Sequence, residues 1–166
     1  MTQLSILEYP DPALRQSAAP VENVDSSIEK LVDDMLETMY SANGVGLAAV
    51  QVGVPLQVIV ADVSETKKQP IALINPEISD MTGEQELIEG CLSVPGAFAR
   101  VKRAKQIEVK CLDKHGDAVT HEADDLLSVC FQHEIDHLTG VMFLDHLSRL
   151  KRTRIARSFT KKRAAA

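Results

Sequence analysis

One stretch of this chain limits its architecture more than any other. A helix running from a cap at Asp124 or Asp125 to about Gly140 is apolar on nearly every side, yet it carries His133, Glu134 and His137. Leu126, Leu127, Val129, Cys130, Ile135, Leu138 and Val141 leave it no wholly polar face, so other elements must cover it all round. Two histidines and a carboxylate are costly in such surroundings unless they are paired or bind a metal. The fold has to be organised around this helix, and its polar groups need a reason to be there.

The spacing supplies one. In His133-Glu134-Ile135-Asp136-His137 the two histidines stand four apart, so one helical turn stacks them on the same face with their imidazoles converging. Glu134 sits beside them, placed to take a proton from a metal-bound water rather than to ligate. A divalent ion that lowers the pKa of water, with a carboxylate to move the proton, is the chemistry of a metal hydrolase.

A catalytic site of this kind has three protein ligands and one open position, so the third ligand decides the class. The metzincin pattern needs a histidine where Phe143 stands, and His146 falls three residues beyond it. A gluzincin needs a downstream glutamate, and Glu134 is the last in the chain. Both protease patterns fail, which points upstream to Cys91 in Glu89-Gly90-Cys91-Leu92-Ser93 as the best candidate. Cys130 shares the helix face of His133 and His137, but three ligands along one helix are nearly collinear and make no tetrahedral shell. Cys130 therefore reads as a pocket wall and Cys111 as a small buried hydrophobe of a strand. The rivals to a metal hydrolase are a thiol enzyme using Cys91 and a ribosome- or RNA-binding protein with a structural metal, which would need a fourth ligand the sequence does not obviously offer.

The rest of the chain reads as one α+β domain over residues 1–166, a mixed or antiparallel sheet wrapped around the central metal-binding helix. An N-terminal amphipathic helix over residues 26–40 carries Ile28, Leu31, Val32, Met35, Leu36 and Met39 on one face, with Ser26-x-x-Glu29 as a capping box. Short β-rich runs follow at residues 56–61, 71–75 and 107–112, with a hairpin turn at 113–117. A basic C-terminal helix spans about residues 148–163, with a thin apolar stripe in Leu150, Ile155 and Phe159.

Charge is divided along the chain. The formal net charge is -6, but Arg149, Lys151, Arg152, Arg154, Arg157, Lys161, Lys162 and Arg163 crowd the end without one acid. Such a tail is either a solvated helix end or a surface for a polyanion. The N-terminus lacks the basic-then-apolar pattern of a signal peptide, and no apolar run approaches the ~18 residues of a membrane span, so a cytoplasmic protein is expected.

Gly44-Val45-Gly46-Leu47-Ala48-Ala49 satisfies a dinucleotide-binding fingerprint, but that motif needs a strand before and a helix after, and here the order is reversed. The glycines instead suit close approach of a backbone to a ligand or another strand. Gln51, ending this loop, is a surface amide or a donor to an oxyanion.

Taken together, three segments resemble bacterial peptide deformylases: Gly44-Val45-Gly46-Leu47-Ala48-Ala49-Val50-Gln51, Glu89-Gly90-Cys91-Leu92-Ser93 and Gln132-His133-Glu134-Ile135-Asp136-His137, after a Tyr9-Pro10-Asp11-Pro12 start. The resemblance implies removal of the formyl group from N-formylmethionyl peptides by attack of a metal-bound hydroxide. It implies one divalent metal, Fe(II) in most of the family and Zn(II) in some, held by Cys91, His133 and His137. Glu134 would be general base and acid, with the Gln51 amide and Leu92 backbone N–H stabilising the oxyanion.

By the same resemblance the peptide lies as an added strand along Gly44, Val45 and Gly46 and along the segment of Glu89 and Gly90. Val45, Val129 and Cys130 line a methionine pocket, and Arg103 with Asp136 orients the ligands. The basic helix corresponds to a region with which the family docks on the ribosome. A monomer is the expected state. Two positions depart from the pattern: Gly96-Ala97-Phe98-Ala99 lacks an arginine many members carry, and Ala13 replaces another.

Overall fold

In the computed structural model, residues 2–165 are described, with side chains as far as Phe159. Helix α1 (Ser26–Ser41) is followed by strands β1 (Gly46–Ala48), β2 (Val58–Ala61), β3 (Ile71–Thr82), β4 (Gln85–Cys91), β5 (Val94–Arg103), β6 (Gln106–Leu112) and β7 (Ala118–Asp124), then by helices α2 (Asp125–His137) and α3 (Arg149–Ala165). Five strands form one antiparallel sheet in the order β1-β2-β3-β6-β7, and β4 and β5 form a separate antiparallel pair. The fold is α+β, with α2 touching strands of both sheets.

Strand β2 shows why its sequence, Val-Ile-Val-Ala, lacks alternation: both of its faces are covered. Val58 and Val60 pack with Val32, Met35 and Met39 of α1, whereas Ile59 and Ala61 face Phe131 and Cys130 of α2. The middle of the sheet is thus sandwiched between the two helices. A third cluster, around Val94, Val101, Phe143 and Leu144, fills the space behind the β4–β5 pair.

Several local expectations change. The cap of α1 is Asp25, whose Oδ1 accepts from the N–H groups of Ser27 (3.0 Å) and Ile28 (3.2 Å), so a simple aspartate cap one residue earlier replaces the expected Ser26 capping box. Strand β3 does not stop at Asn75 but runs seven residues further to Thr82. Asn75 takes a positive φ of 53° and forms an irregularity in the ladder, and its side chain is anchored to the backbone of Val21. Asn75-Pro76 thereby form a bulge within one strand. Leu150 lies outside the α3 stripe and is exposed, leaving half-buried Ile155 and buried Phe159, the latter meeting Tyr9 edge-on at 5.9 Å.

Helix α2 ends at His137, three residues before Gly140. Gly140 takes a φ of 75°, and a Cβ there would lie 2.5 Å from the carbonyl oxygen of Arg15, which is backbone and cannot step aside cheaply. Both the conformation and the space demand glycine. G140A should destabilise the chain by more than about 2 kcal/mol, read from the midpoint of denaturant unfolding. A smaller loss would mean that the Arg15 segment yields.

Candidate metal centre

The two halves of the centre arrive from different sheets' neighbourhoods. Helix α2 supplies His133 and His137, one turn apart, with ring centroids separated by 5.1 Å. Cys91 comes from the end of β4, which faces α2 across the space between the sheets. The candidate ligand atoms of Cys91, His133 and His137 all lie within 4.8 Å of one another, and Cys91 Sγ is 3.5 Å from His137 Nε2. Tetrahedral coordination with ordinary thiolate and imidazole bond lengths sets sulfur and nitrogen about 3.6 Å apart. The spacing, and the soft-plus-borderline donor set, therefore fit a transition-metal ion. Among the described residues no fourth His, Cys, Asp or Glu joins the group. Cys130 lies outside it, with its Sγ 3.5 Å from the Val45 carbonyl.

Glu89, two residues before Cys91 on β4, faces α2 as Cys91 does. His133 Nδ1 donates to Glu89 Oε1 at 2.9 Å, which leaves the opposite ring nitrogen for a metal. Glu89 is in turn gripped by Arg103, whose Nε and Nη2 each donate at 2.9 Å. Arg103 Nη1 reaches Asp136 at 2.6 Å, and Asp136 also meets His146 at 2.8 Å. Arg103 thus acts on His133 only through Glu89. The Arg103–Asp136 pair is present as expected and reaches the ligand His133 through Glu89, whose carboxylate faces inward to both while its strand segment still borders the cleft. Glu89 was legible as a partner only through its two-residue offset from Cys91, and His146 carried no signal at all.

Glu134 is buried beside the histidines, and its Oε1 has no hydrogen-bond partner. Burial, partly offset by His133, pushes its carboxyl up to about 7. His137 Nδ1 is also buried without a partner. Burial, reinforced by His133 and Arg103, holds His137 well below the ordinary histidine range. Burial acts on His133 in the same direction, but Glu134, Cys91 and Glu89 more than reverse it. For Cys130, burial and then Glu134 keep the thiol protonated, as suits a wall.

Gln51 is oriented by the N–H of Ala48, which donates to its Oε1 at 2.9 Å and so turns the NH2 end inward. That Nε2 donates to Ser93 Oγ at 3.0 Å and lies 3.6 Å from Cys91 Sγ. Gly46 permits the tightest approach in the site, since a Cβ there would fall 2.5 Å from Glu134 Oε2 and 2.7 Å from Cys130 Sγ. As the order of elements requires, the Gly44–Gly46 loop joins α1 to a strand, not a strand to a helix.

These groups border a cleft of about 430 Å³. Gly44, Val45 and Gly46 form one side, and Glu89, Gly90, Cys91 and Leu92 the other. Val129, Cys130, His133 and Glu134 of α2 line it as well, together with Gln51. A narrow, largely apolar cleft with a three-ligand cluster and an unpartnered buried carboxylate is suited to metal-assisted hydrolysis of a small polar bond at the end of an apolar group.

Known proteins share about half of this sequence and the same fold. Residues 3–153 match the polypeptide deformylase family model. A peptide deformylase from Nitrosococcus oceani is 55% identical over 162 residues, covering 98% of this chain and 97% of its own. The crystal structure of a peptide deformylase from Legionella pneumophila superposes with a TM-score of 0.93 at 46% identity, covering 99% of both chains. One from Ehrlichia chaffeensis in complex with actinonin gives 0.94 at 45%, covering 98% of both. With identity near one half along almost its whole length, and the same backbone throughout, the chain belongs to the peptide deformylase family.

Proposed function

We propose that this chain hydrolyses the formyl group from N-formylmethionyl peptides, with Cys91, His133 and His137 holding one divalent metal, Fe(II) in preference to Zn(II). The observation that carries the reading is the buried, unpartnered carboxylate of Glu134 beside three convergent ligand atoms. When bound, the metal supplies Lewis acidity toward water and toward the formyl oxygen. Glu134 takes a proton from the attacking water and returns it to the departing amine, so that one water and one amide become formate and a free N-terminus. Held near neutrality by burial, it is poised for both transfers.

The Gln51 Nε2 and the Leu92 backbone N–H receive the oxyanion, the first already aimed by Ala48. The peptide adds as a strand along Gly44–Gly46 and along Glu89 and Gly90, with methionine among Val45, Val129 and Cys130. Residues 1–166 work as one catalytic domain and as a monomer. No helix among the described residues is long and apolar enough to cross a membrane, which is compatible with the cytoplasm, where nascent peptides are made. The exposed bases of α3, from Arg149 to Arg157, suit contact with ribosomal RNA.

Three outcomes are expected. E134Q should retain its metal while formate release from formyl-Met-Ala-Ser falls by about 10²–10⁴-fold; near-normal turnover would remove Glu134 from the chemistry. E89A should weaken metal retention about 10–100-fold against a chelator and lower the melting temperature, since Arg103 is left buried without its main partner. Co-sedimentation with ribosomes should weaken steeply as salt rises and be lost when the exposed bases of α3 are changed to Gln. Metal analysis of anaerobically purified chain, on the sample assayed for formate, decides between iron and zinc.

A further inference from the structure

Six large apolar side chains are exposed among the described residues, and four of them, Val45, Ile88, Phe98 and Leu126, border the cleft. Exposed apolar groups gathered in one place mark a binding surface. Ile88 and Phe98 are the most exposed of the four, at 62% and 70%, and neither belongs to the methionine pocket on α2.

Their placement follows from the register of the β4–β5 pair. Ile88 and Gly90 are two apart on β4 and so share its outward face. A Cβ at Gly90 would fall 2.7 Å and 2.9 Å from two atoms of the Phe98 ring, so the ring lies across β4 where a side chain would otherwise stand. Ile88 and Phe98 are therefore neighbours on one surface. Arg100 lies opposite Ile88, and the charged pair Glu86 and Lys102 lies two positions further along the ladder on the same face, marking the end of the apolar area.

The occupant is set by continuity with the cleft. Strands β1 and β4 each lie at the end of their sheet order, and the cleft runs between them. A peptide extended there has edges to bond on both sides and side chains that alternate. With the formylated residue seated against α2, each further residue moves the chain about 3.3 Å outward, so the second and third meet the mouth where Ile88 and Phe98 stand.

We propose that Ile88 and Phe98 form an apolar shelf that binds the second or third side chain of the formylated peptide and makes this enzyme favour large apolar residues there over small polar ones. The inference rests on the deformylase reading above. The test compares kcat/KM for formyl-Met-Phe-Phe-Gly and formyl-Met-Ser-Ser-Gly, using metal-loaded full-length chain and its F98A, I88S and double variants, with melting temperatures measured alongside.

The wild type should favour the Phe peptide at least about tenfold, chiefly through KM. Each single variant should shrink the ratio, and the double variant should bring it near unity at an unchanged melting temperature. Formate release with no preference, or a preference that survives in the double variant, overturns the shelf and leaves the deformylase reading standing. No formate from either peptide overturns the deformylase reading and the shelf with it.

Discussion

Taking a guanidinium out of water is unfavourable unless its fork is met on every side, and Arg103 is met by Glu89 from β4 and Asp136 from α2. Both Arg103 and Glu89 are almost wholly inaccessible, so neither partner could be lost without stranding a charge, a penalty of order 3–5 kcal/mol. Burial alone would raise the Glu89 carboxyl, but Arg103 and then His133 more than offset it and lower it below the ordinary carboxylate value, so that it meets His133 as an anion. The same arginine therefore joins the two sheets' shared helix to the hairpin that carries Cys91. Surface pairs such as Arg15 with Asp145 have the distances but not the seclusion, and contribute under about 1 kcal/mol.

Around that junction the packing is arranged in layers that share members. Strand β2 presents alternate residues to α1 and to α2, so the two apolar clusters have a wall in common. Helix α2 in turn has apolar contacts toward the five-stranded sheet and its polar groups toward the β4–β5 pair. Its Gln132 binds the backbone of Ala104 in both directions, through Oε1 and Nε2, tying the helix to the β5–β6 turn. The histidines are thus rigid because their neighbours along the helix are pinned.

Helices α1 and α2 were legible because periodic burial writes itself into residue spacing, and the Asp113–Asp117 turn because its chemistry is local. The histidine spacing on α2 was equally plain, and the failure of downstream third ligands directed attention to Cys91. The β4–β5 hairpin was not readable as strands: Gly90, Pro95 and Gly96 look like loop, and Glu86, Glu89, Arg100 and Arg103 mask the alternation. The run over residues 71–75 was read too short, since the bulge at Asn75 interrupts the pattern within a strand that continues to Thr82. Long-range partners such as Glu89 with Arg103, or Asp136 with His146, depend on how the pieces dock and leave little local trace.

Gly46 shapes the cleft by lacking a side chain, since any Cβ would press into Glu134 and Cys130. Space made in this way belongs to the backbone and cannot be adjusted in small steps. A compound resting against that floor therefore meets a surface that point mutation cannot reshape without displacing the group proposed to carry the proton. Resistance would have to arise at the mouth, where Ile88 and Phe98 project into solvent.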